Sequence, residues 1–338
     1  MLENERQAAV DVVRSVVTIC RSVQGELAPG RWDKEDRSPV TVADLAVQAV
    51  VSGVLQDRFP QDPLMAEEGA AELRLPSWSD LLSKVTEHVR SVAPNVVDQE
   101  RVLNWIERGQ QPIDPERRYW VLDPVDGTKG FLRKEQYAIA LALIERGEVL
   151  LGVLACPNLP PHLGDRLSPD ADELTGQMYV AVRGEGAECL PLPRAGGSPA
   201  SAPVHVTRES TPANLYWCER VEASSKNQDL TSQVVEQAGI TNPPFRIDSQ
   251  AKYAVVARGE AALYLRHTLD PDYREKVWDH AAGVLVMEEA GGRVTHLFGR
   301  PLDFSQGRQL SRNRGIVATN GMIHERVLAA VEELLPRS

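Results

Sequence analysis

Trp120-Val121-Leu122-Asp123-Pro124-Val125-Asp126-Gly127-Thr128 is the stretch that decides how this chain is read. An apolar run stops abruptly at two carboxylates three residues apart, with Pro between them and Gly-Thr directly after. Charged groups at the mouth of a buried strand resist desolvation unless something pairs with them, and a divalent cation is the usual partner. The plainer alternative is a strand ending in a polar turn, because Asp-Pro and Asp-Gly both signal turns. Taken alone, the stretch leaves the two alternatives level.

Bulk properties narrow the class. The chain has 338 residues, 42% hydrophobic and 25% charged. That is ordinary soluble globular composition, with length for two domains or one large layered unit. Lys and Arg number 37 against 48 Asp and Glu, a net charge of −11. This argues against a nucleic-acid partner, which needs a basic footprint. An acidic protein still binds a phosphorylated small molecule when metal ions reverse the local sign. Cys20, Cys156, Cys189 and Cys218 are scattered, with no CxxC and no zinc spacing. Reduced thiols in a cytoplasmic compartment are therefore expected. The charged N-terminus leads into an amphipathic helix rather than a signal peptide, and no apolar run reaches membrane-spanning length. No membrane association is expected; an organelle-targeting segment outside this chain stays open.

Outward from the central stretch, the pattern alternates in type. Residues 5–27 place Ala9, Val12, Val13, Val16, Val17, Cys20 and Val23 at helical spacing. A second helix is expected from Thr41 to about Phe59, then a strand Leu64-Met65-Ala66 ending at Glu67-Glu68-Gly69. Residues 78–109 read as helical, interrupted at Pro94-Asn95, and Tyr119 to Leu122 as the strand that delivers Asp123. Apolar runs over 137–144 and 149–155 form one hairpin, and 178–182 with 187–190 another. Residues 191–203, rich in Pro, Gly, Ser and Ala, mark a boundary between an N-terminal domain (1–200) and a C-terminal one (204–338). Beyond it, strands over 215–218, 261–265, 293–296 and 315–319 alternate with helices over 230–238, 251–258, 278–290 and 324–335. Such alternation is an α/β signature.

Six acids stand at the ends of these elements: Asp44, Glu67, Glu68, Asp123, Asp126 and Asp279. Each has a structural alternative. Thr41-Val42-Ala43-Asp44 fits a helix cap, Asp279 suits a helix N-terminus, and Glu67-Glu68 fits a solvated turn. Jointly they fit Mg²⁺, which takes hard oxygen ligands, usually a few carboxylates with phosphate and water. Two such ions roughly 3.5–4 Å apart activate a water and stabilise a leaving oxygen in phosphoryl transfer. Pro124 would stiffen the turn, Gly127 would let backbone approach a phosphate, and Thr128 would orient a water or a phosphoryl oxygen.

Three motifs, Ala66-Glu67-Glu68, Asp123-Pro124-Val125-Asp126-Gly127-Thr128 and Trp278-Asp279-His280-Ala281-Ala282-Gly283, keep a fixed order and wide spacing. In them the chain resembles the inositol-monophosphatase superfamily of Mg²⁺-dependent, lithium-sensitive phosphatases. Further segments place the resemblance among the 3'(2'),5'-bisphosphate nucleotidases: Lys129-Gly130-Phe131-Leu132-Arg133, Gln136-Tyr137-Ala138, Arg246 to Tyr253, Tyr264-Leu265-Arg266, Tyr273 to His280, and Pro301-Leu302-Asp303-Phe304. It runs from about residue 5 to 335. Ala66 stands where the family usually has Gly, with little consequence expected because the acid after it is retained.

The resemblance implies a layered sugar-phosphatase fold, α+β or α/β with alternating α-β-α-β-α layers. A large N-terminal antiparallel sheet with helices would precede a smaller C-terminal α/β half. It implies Glu67, Asp123, Asp126, Asp279 and the Val125 carbonyl as metal ligands for two or three Mg²⁺ ions. Asp44 and Thr128 would position and deprotonate the attacking water. Ser249, Lys252 and Arg266 would contact nucleotide phosphate, and Thr128 and Asp279 would lie beside the substrate. The family's His aligns with Ser225, with Lys226 next to it as a replacement. The expected reaction is hydrolysis of the 3'-phosphate of adenosine 3',5'-bisphosphate to AMP and phosphate, with 3'-phosphoadenosine 5'-phosphosulfate as a second substrate. Inhibition by Li⁺, Na⁺ or Ca²⁺ and a monomeric state are also expected. The alternatives are an inositol (poly)phosphate 1-phosphatase, disfavoured by Asp248-Ser249-Gln250-Ala251-Lys252, and a non-catalytic bisphosphate-nucleotide sensor, which would need fewer acids.

Overall fold

The computed structural model describes residues 2–27, 38–95, 98–164, 176–193, 200–222, 225–267, 270 and 272–334, with backbone alone for 38–40 and 225–229. Helices α1 (Glu3–Glu26), α2 (Ser38–Arg58), α3 (Ser79–Val92) and α4 (Gln99–Arg108) form the first layer. They cover one face of a seven-stranded sheet whose spatial order follows the chain. Its strands are β1 (Leu64–Ala66), β2 (Arg118–Asp126), β3 (Ala138–Glu145), β4 (Glu148–Cys156), β5 (Gly176–Val182), β6 (Gly186–Leu192) and β7 (Ala202–Val204). Only β1 and β2 pair in parallel; the other neighbours are antiparallel.

The period-two pattern of the central strands explains why both faces are covered. Trp120 and Leu122 on β2, with Ile139, Leu141 and Leu143 on β3, point toward α1 and α2. Tyr119 and Val121, with Ala138, Ala140 and Ala142, point the other way. The small Ala side chains let α7 (Ala251–Ala257) and α8 (Ala281–Glu289) pack on that face. All residues of α8 from Ala281 to Met287 are buried, because the helix is sandwiched between two sheets.

The second sheet, in spatial order, holds β11 (Arg293–Thr295), β12 (Ile316–Thr319), β10 (Leu263–Arg266), β8 (Trp217–Glu219) and β9 (Phe245–Arg246). Strands β10, β8 and β9 run parallel. Helices α6 (Ser225–Gln237) and α9 (His324–Leu334) close its outer face. The five layers are thus helix, sheet, helix, sheet, helix. Among the described residues no helix is long and apolar enough to cross a membrane.

Several expectations need adjusting. Strand β2 runs on through Pro124 to Asp126, so the acids lie within the strand and not in a turn beyond it. Helix α2 begins at Ser38, which puts Asp44 in its second turn and removes the capping role, since a cap serves the first turn. Trp278 to His280 form a turn, and α8 starts only at Ala281. Within the boundary segment, Ala202–Val204 pairs with β6, and the chain passes to the second sheet between Val204 and Trp217. The buried layer around α7 and α8 touches both sheets, so the two halves share one core.

Candidate active site

Residues three apart on a regular strand face opposite sides. Yet Asp123 lies opposite Ala140 and Asp126 opposite Ala138, so three steps on β2 match two on β3. This bulge turns both carboxylates to the Ala138–Ala140 face, toward α7 and α8, while Val125 stays in the opposite apolar layer. Pro124 sits at the bulge, a place where its missing N–H costs the ladder nothing. Gly127 follows at φ 89, and a Cβ there would lie 2.8 Å from Ser249 Cβ. Thr128 then opens the short helix α5 (Thr128–Leu132). Ser249 itself has φ 66, a left-handed backbone that non-glycine residues adopt at a cost and that clusters at functional sites.

Glu67 and Glu68 leave β1 beside β2, and three side chains hold their backbone. Gln48, one turn after Asp44 on α2, donates to the Glu68 carbonyl at 2.7 Å and accepts from its N–H at 3.0 Å. Gln110 donates to the carbonyls of Ala66, Glu67 and Glu68, and Arg308 donates to that of Ala66 at 2.6 Å. The Ala66 methyl, where the family usually has none, is accommodated by Gly109, whose added Cβ would come within 2.8 Å of it.

Together these acids form one electrostatic unit. Burial raises the Asp123 carboxyl well above its ordinary value, and Asp126, Glu67, Asp279 and Asp44 add to the rise. Burial likewise lifts Asp44, helped by Glu68 and Glu67. Glu67 opens to solvent on one side, but desolvation on the other, with Glu68 and Asp126, pushes it up to about 7 against the pull of Lys276 and Arg308. Asp279 is pushed up to about 6, first by burial. Asp123 Oδ1 is buried without a hydrogen-bond partner, and it faces a set of hard oxygen donors. An orphaned buried carboxylate oxygen amid four other acids fits a divalent cation. The tightest metal-type grouping among the described residues is a different one, Glu275, Asp279 and His280, with ligand atoms within 4.8 Å. Glu275 there already binds Arg266 and His280, and the Arg266 guanidinium lies 3.6 Å from Asp279.

The other wall carries the bases. Lys252 is buried, and its ammonium donates to the carbonyls of Ile247 and Ser249 at 3.1 and 2.6 Å. Asp126 accepts from the Gln250 N–H, which ties the carboxylate strand to the start of α7. Gln250 in turn donates to the Trp278 carbonyl at 2.8 Å. Thr128, Asp126, Ser249, Lys252, Arg266 and Asp279 line one cleft of about 330 Å³. Asp44, Glu67 and Asp123 join them through the charge coupling above. Ser225 opens α6, and its side chain lies outside the described residues. A larger cavity of about 720 Å³ lies between Arg21, Gln136 and Arg246; the perturbed acids are at the smaller one, which is where the chemistry belongs. The sequence carries no sign of Gln48, Gln110 and Arg308, and it shows Gln250 and Glu275 only as members of the quoted segments, without a role. They bind backbone or other site residues, a role without a local sequence signal.

With that geometry in view, the comparisons with known proteins are decisive. The model of the inositol monophosphatase family matches residues 1–335. The chain belongs to the inositol monophosphatase family. Among its relatives, a 3'(2'),5'-bisphosphate nucleotidase of Oryza sativa is 42% identical, covering 98% of this chain and 94% of the relative. One from Emericella nidulans is 37% identical over 98% of this chain and 99% of the relative. Among solved structures, the inositol monophosphatase from Anabaena superposes with TM-score 0.61 at 20% identity, covering 99% of this chain and 97% of its own. A Bacteroides thetaiotaomicron member of the family gives 0.63 at 19%, covering 95% and 98%. At that identity the two structures speak for the fold alone.

Proposed function

We propose that the protein is a Mg²⁺-dependent 3'(2'),5'-bisphosphate nucleotidase. It hydrolyses the 3'-phosphate of adenosine 3',5'-bisphosphate to AMP and phosphate, and accepts 3'-phosphoadenosine 5'-phosphosulfate as well. The observation that carries this reading is the mutually raised carboxylate set with its orphaned Asp123 oxygen, facing a basic wall across one cleft. The full-length likeness to bisphosphate nucleotidases supports the choice of substrate.

Glu67, Asp123, Asp126, Asp279 and the Val125 carbonyl would hold two or three Mg²⁺ ions, in keeping with that ion's taste for carboxylate and carbonyl oxygen. When bound, the ions neutralise phosphate charge and lower the pKa of a water. Asp44 takes the proton of the attacking water, relayed through the Thr128 hydroxyl, and burial beside Glu68 and Glu67 makes the Asp44 carboxylate a stronger base than an exposed one. The water oxygen bonds to phosphorus, the bond from phosphorus to the 3'-oxygen breaks, and that oxygen leaves with a proton from solvent. Ser249, Lys252 and Arg266 orient the nucleotide, and Glu275 holds Arg266 and, through His280, the turn that carries Asp279. Four cysteines outside any disulfide, three of them buried, suit a reducing cytoplasm, and we read the enzyme as a monomer of two halves.

Phosphate release from adenosine 3',5'-bisphosphate, with and without Mg²⁺ and Li⁺, tests the proposal beside inositol 1-phosphate. Mg²⁺-dependent, Li⁺-inhibited release from the nucleotide is expected. Faster turnover of the inositol ester assigns the chain to the inositol phosphatases. Nucleotide binding without any turnover makes it a sensor.

A further inference from the structure

The three parallel strands of the second sheet end on one crevice, the place where open α/β sheets bind ligands. Arg220 follows β8, Ser249 lies just past β9, and Arg266 ends β10. All three line the cleft that holds Asp126, Thr128 and Asp279. Lys129, Arg220, Lys252 and Arg266 are its cations. Three of them are already engaged. Lys129 pairs with Glu222 at 2.8 Å. Lys252 is bound to two backbone carbonyls. Arg266 grips both oxygens of Glu275 at 2.8 and 2.6 Å and donates to the Tyr273 hydroxyl at 3.0 Å.

Arg220 differs. Its side chain is exposed to the cleft, and among the described residues no carboxylate pairs with it. Neighbouring Glu219 is taken by Arg246 at 2.8 Å, and Glu222 by Lys129 and Arg133. The Arg220 charge instead presses on Lys252, whose ammonium is pushed down to about 8, mainly by burial, with Arg220 and Arg266 adding. Two cations lining one cleft are relieved by an anion bound there, and the guanidinium fork suits phosphate.

We propose that Arg220 is a specificity-determining residue that binds the phosphate not being hydrolysed, the 5'-phosphate of the nucleoside bisphosphate. The assignment rests on the nucleotidase reading. The reacting phosphate goes to the carboxylate end, with its cations, and the second phosphate to the basic end.

Steady-state kinetics with adenosine 3',5'-bisphosphate and with 3'-AMP, plus calorimetric titration with 5'-AMP, test this on the full-length chain. Arg220→Ala is expected to raise KM for the bisphosphate and Kd for 5'-AMP by about 10-fold or more, the lower bound for a hydrogen bond to a charged group. Its kcat, and kcat/KM for 3'-AMP, stay within about twofold, and Arg220→Lys recovers part of the loss. An equal loss on 3'-AMP, or unchanged bisphosphate KM and 5'-AMP Kd, overturns the assignment. Wild type that releases no phosphate overturns the reaction instead, and the 5'-AMP titration then still decides Arg220.

Discussion

Removing Arg266 strands a buried carboxylate, and the cost follows from the geometry. Glu275 is 4% exposed and takes two contacts from the Arg266 guanidinium, at 2.8 and 2.6 Å. Burial alone would raise its pKa, yet His280 and Arg266 hold it down to about 2 against an ordinary 4.5. A carboxyl held low in the folded state stabilises above its unfolded pKa. That stability drains away as pH falls from 4.5 through 2. The shift corresponds to about 3 kcal/mol at neutral pH. Arg266→Met leaves Glu275 with His280 and a long 3.4 Å contact from the Tyr273 hydroxyl, and unfolding free energy should fall by about 3 kcal/mol, in the range for breaking a buried ion pair. Glu275→Gln should cost about 2 kcal/mol or more, because Arg266 then keeps only Asp279 and Tyr273. The double variant should cost clearly less than the two singles added, with a coupling of about 2 kcal/mol, within the span seen for contacting residues. Urea unfolding at neutral pH with chelator present measures all three. Single losses below about 1 kcal/mol, or additivity within about 0.5 kcal/mol, would refute the argument.

Two further outcomes follow from the charges. Asp123→Asn should abolish Mg²⁺-dependent turnover and yet raise the melting temperature in chelator by about 2 °C, since it relieves the repulsion from Asp126, Glu67, Asp279 and Asp44; a lower melting temperature contradicts the crowding. His324 is buried between the Thr295 and Thr319 hydroxyls at 3.0 and 2.9 Å, and burial pushes it down to about 4. The unfolded chain therefore takes up the proton first. Wild type should lose up to about 3 kcal/mol relative to His324→Asn between pH 6.5 and 4, and nothing above 6.5; parallel stability curves in acid-range urea titrations would rule this out.

The residues that bind one another through local repetition were legible in the sequence. The apolar runs over 137–144 and 149–155, joined by a polar turn, gave the hairpin strands Ala138–Glu145 and Glu148–Cys156 to within a residue at each end, and helical spacing gave α1. The acids were legible because carboxylates at the end of an apolar run are costly. What was hidden depends on pairing across distance. The bulge arises from how β2 lies on β3, and no feature of Asp123 to Asp126 alone requires it. The start of α2 at Ser38, with Pro39 in its first turn, takes Asp44 out of the capping position, which the residues around Thr41 alone did not reveal. β7 and β9 have three and two residues, too short to show a period.

The bulge in β2 also acts while the sheet forms. A pairing one residue out of step would swap the two faces of the strand. Trp120 and Leu122 would leave the layer under α1 and α2, and Asp123 would enter it. Two neighbouring carboxylates in an apolar layer are far less favourable than the same pair at an edge where cations and solvent reach them. The acids assigned to the chemistry thus also penalise the slipped sheet, so a chain that has completed its first sheet has, by the same step, arranged its carboxylates.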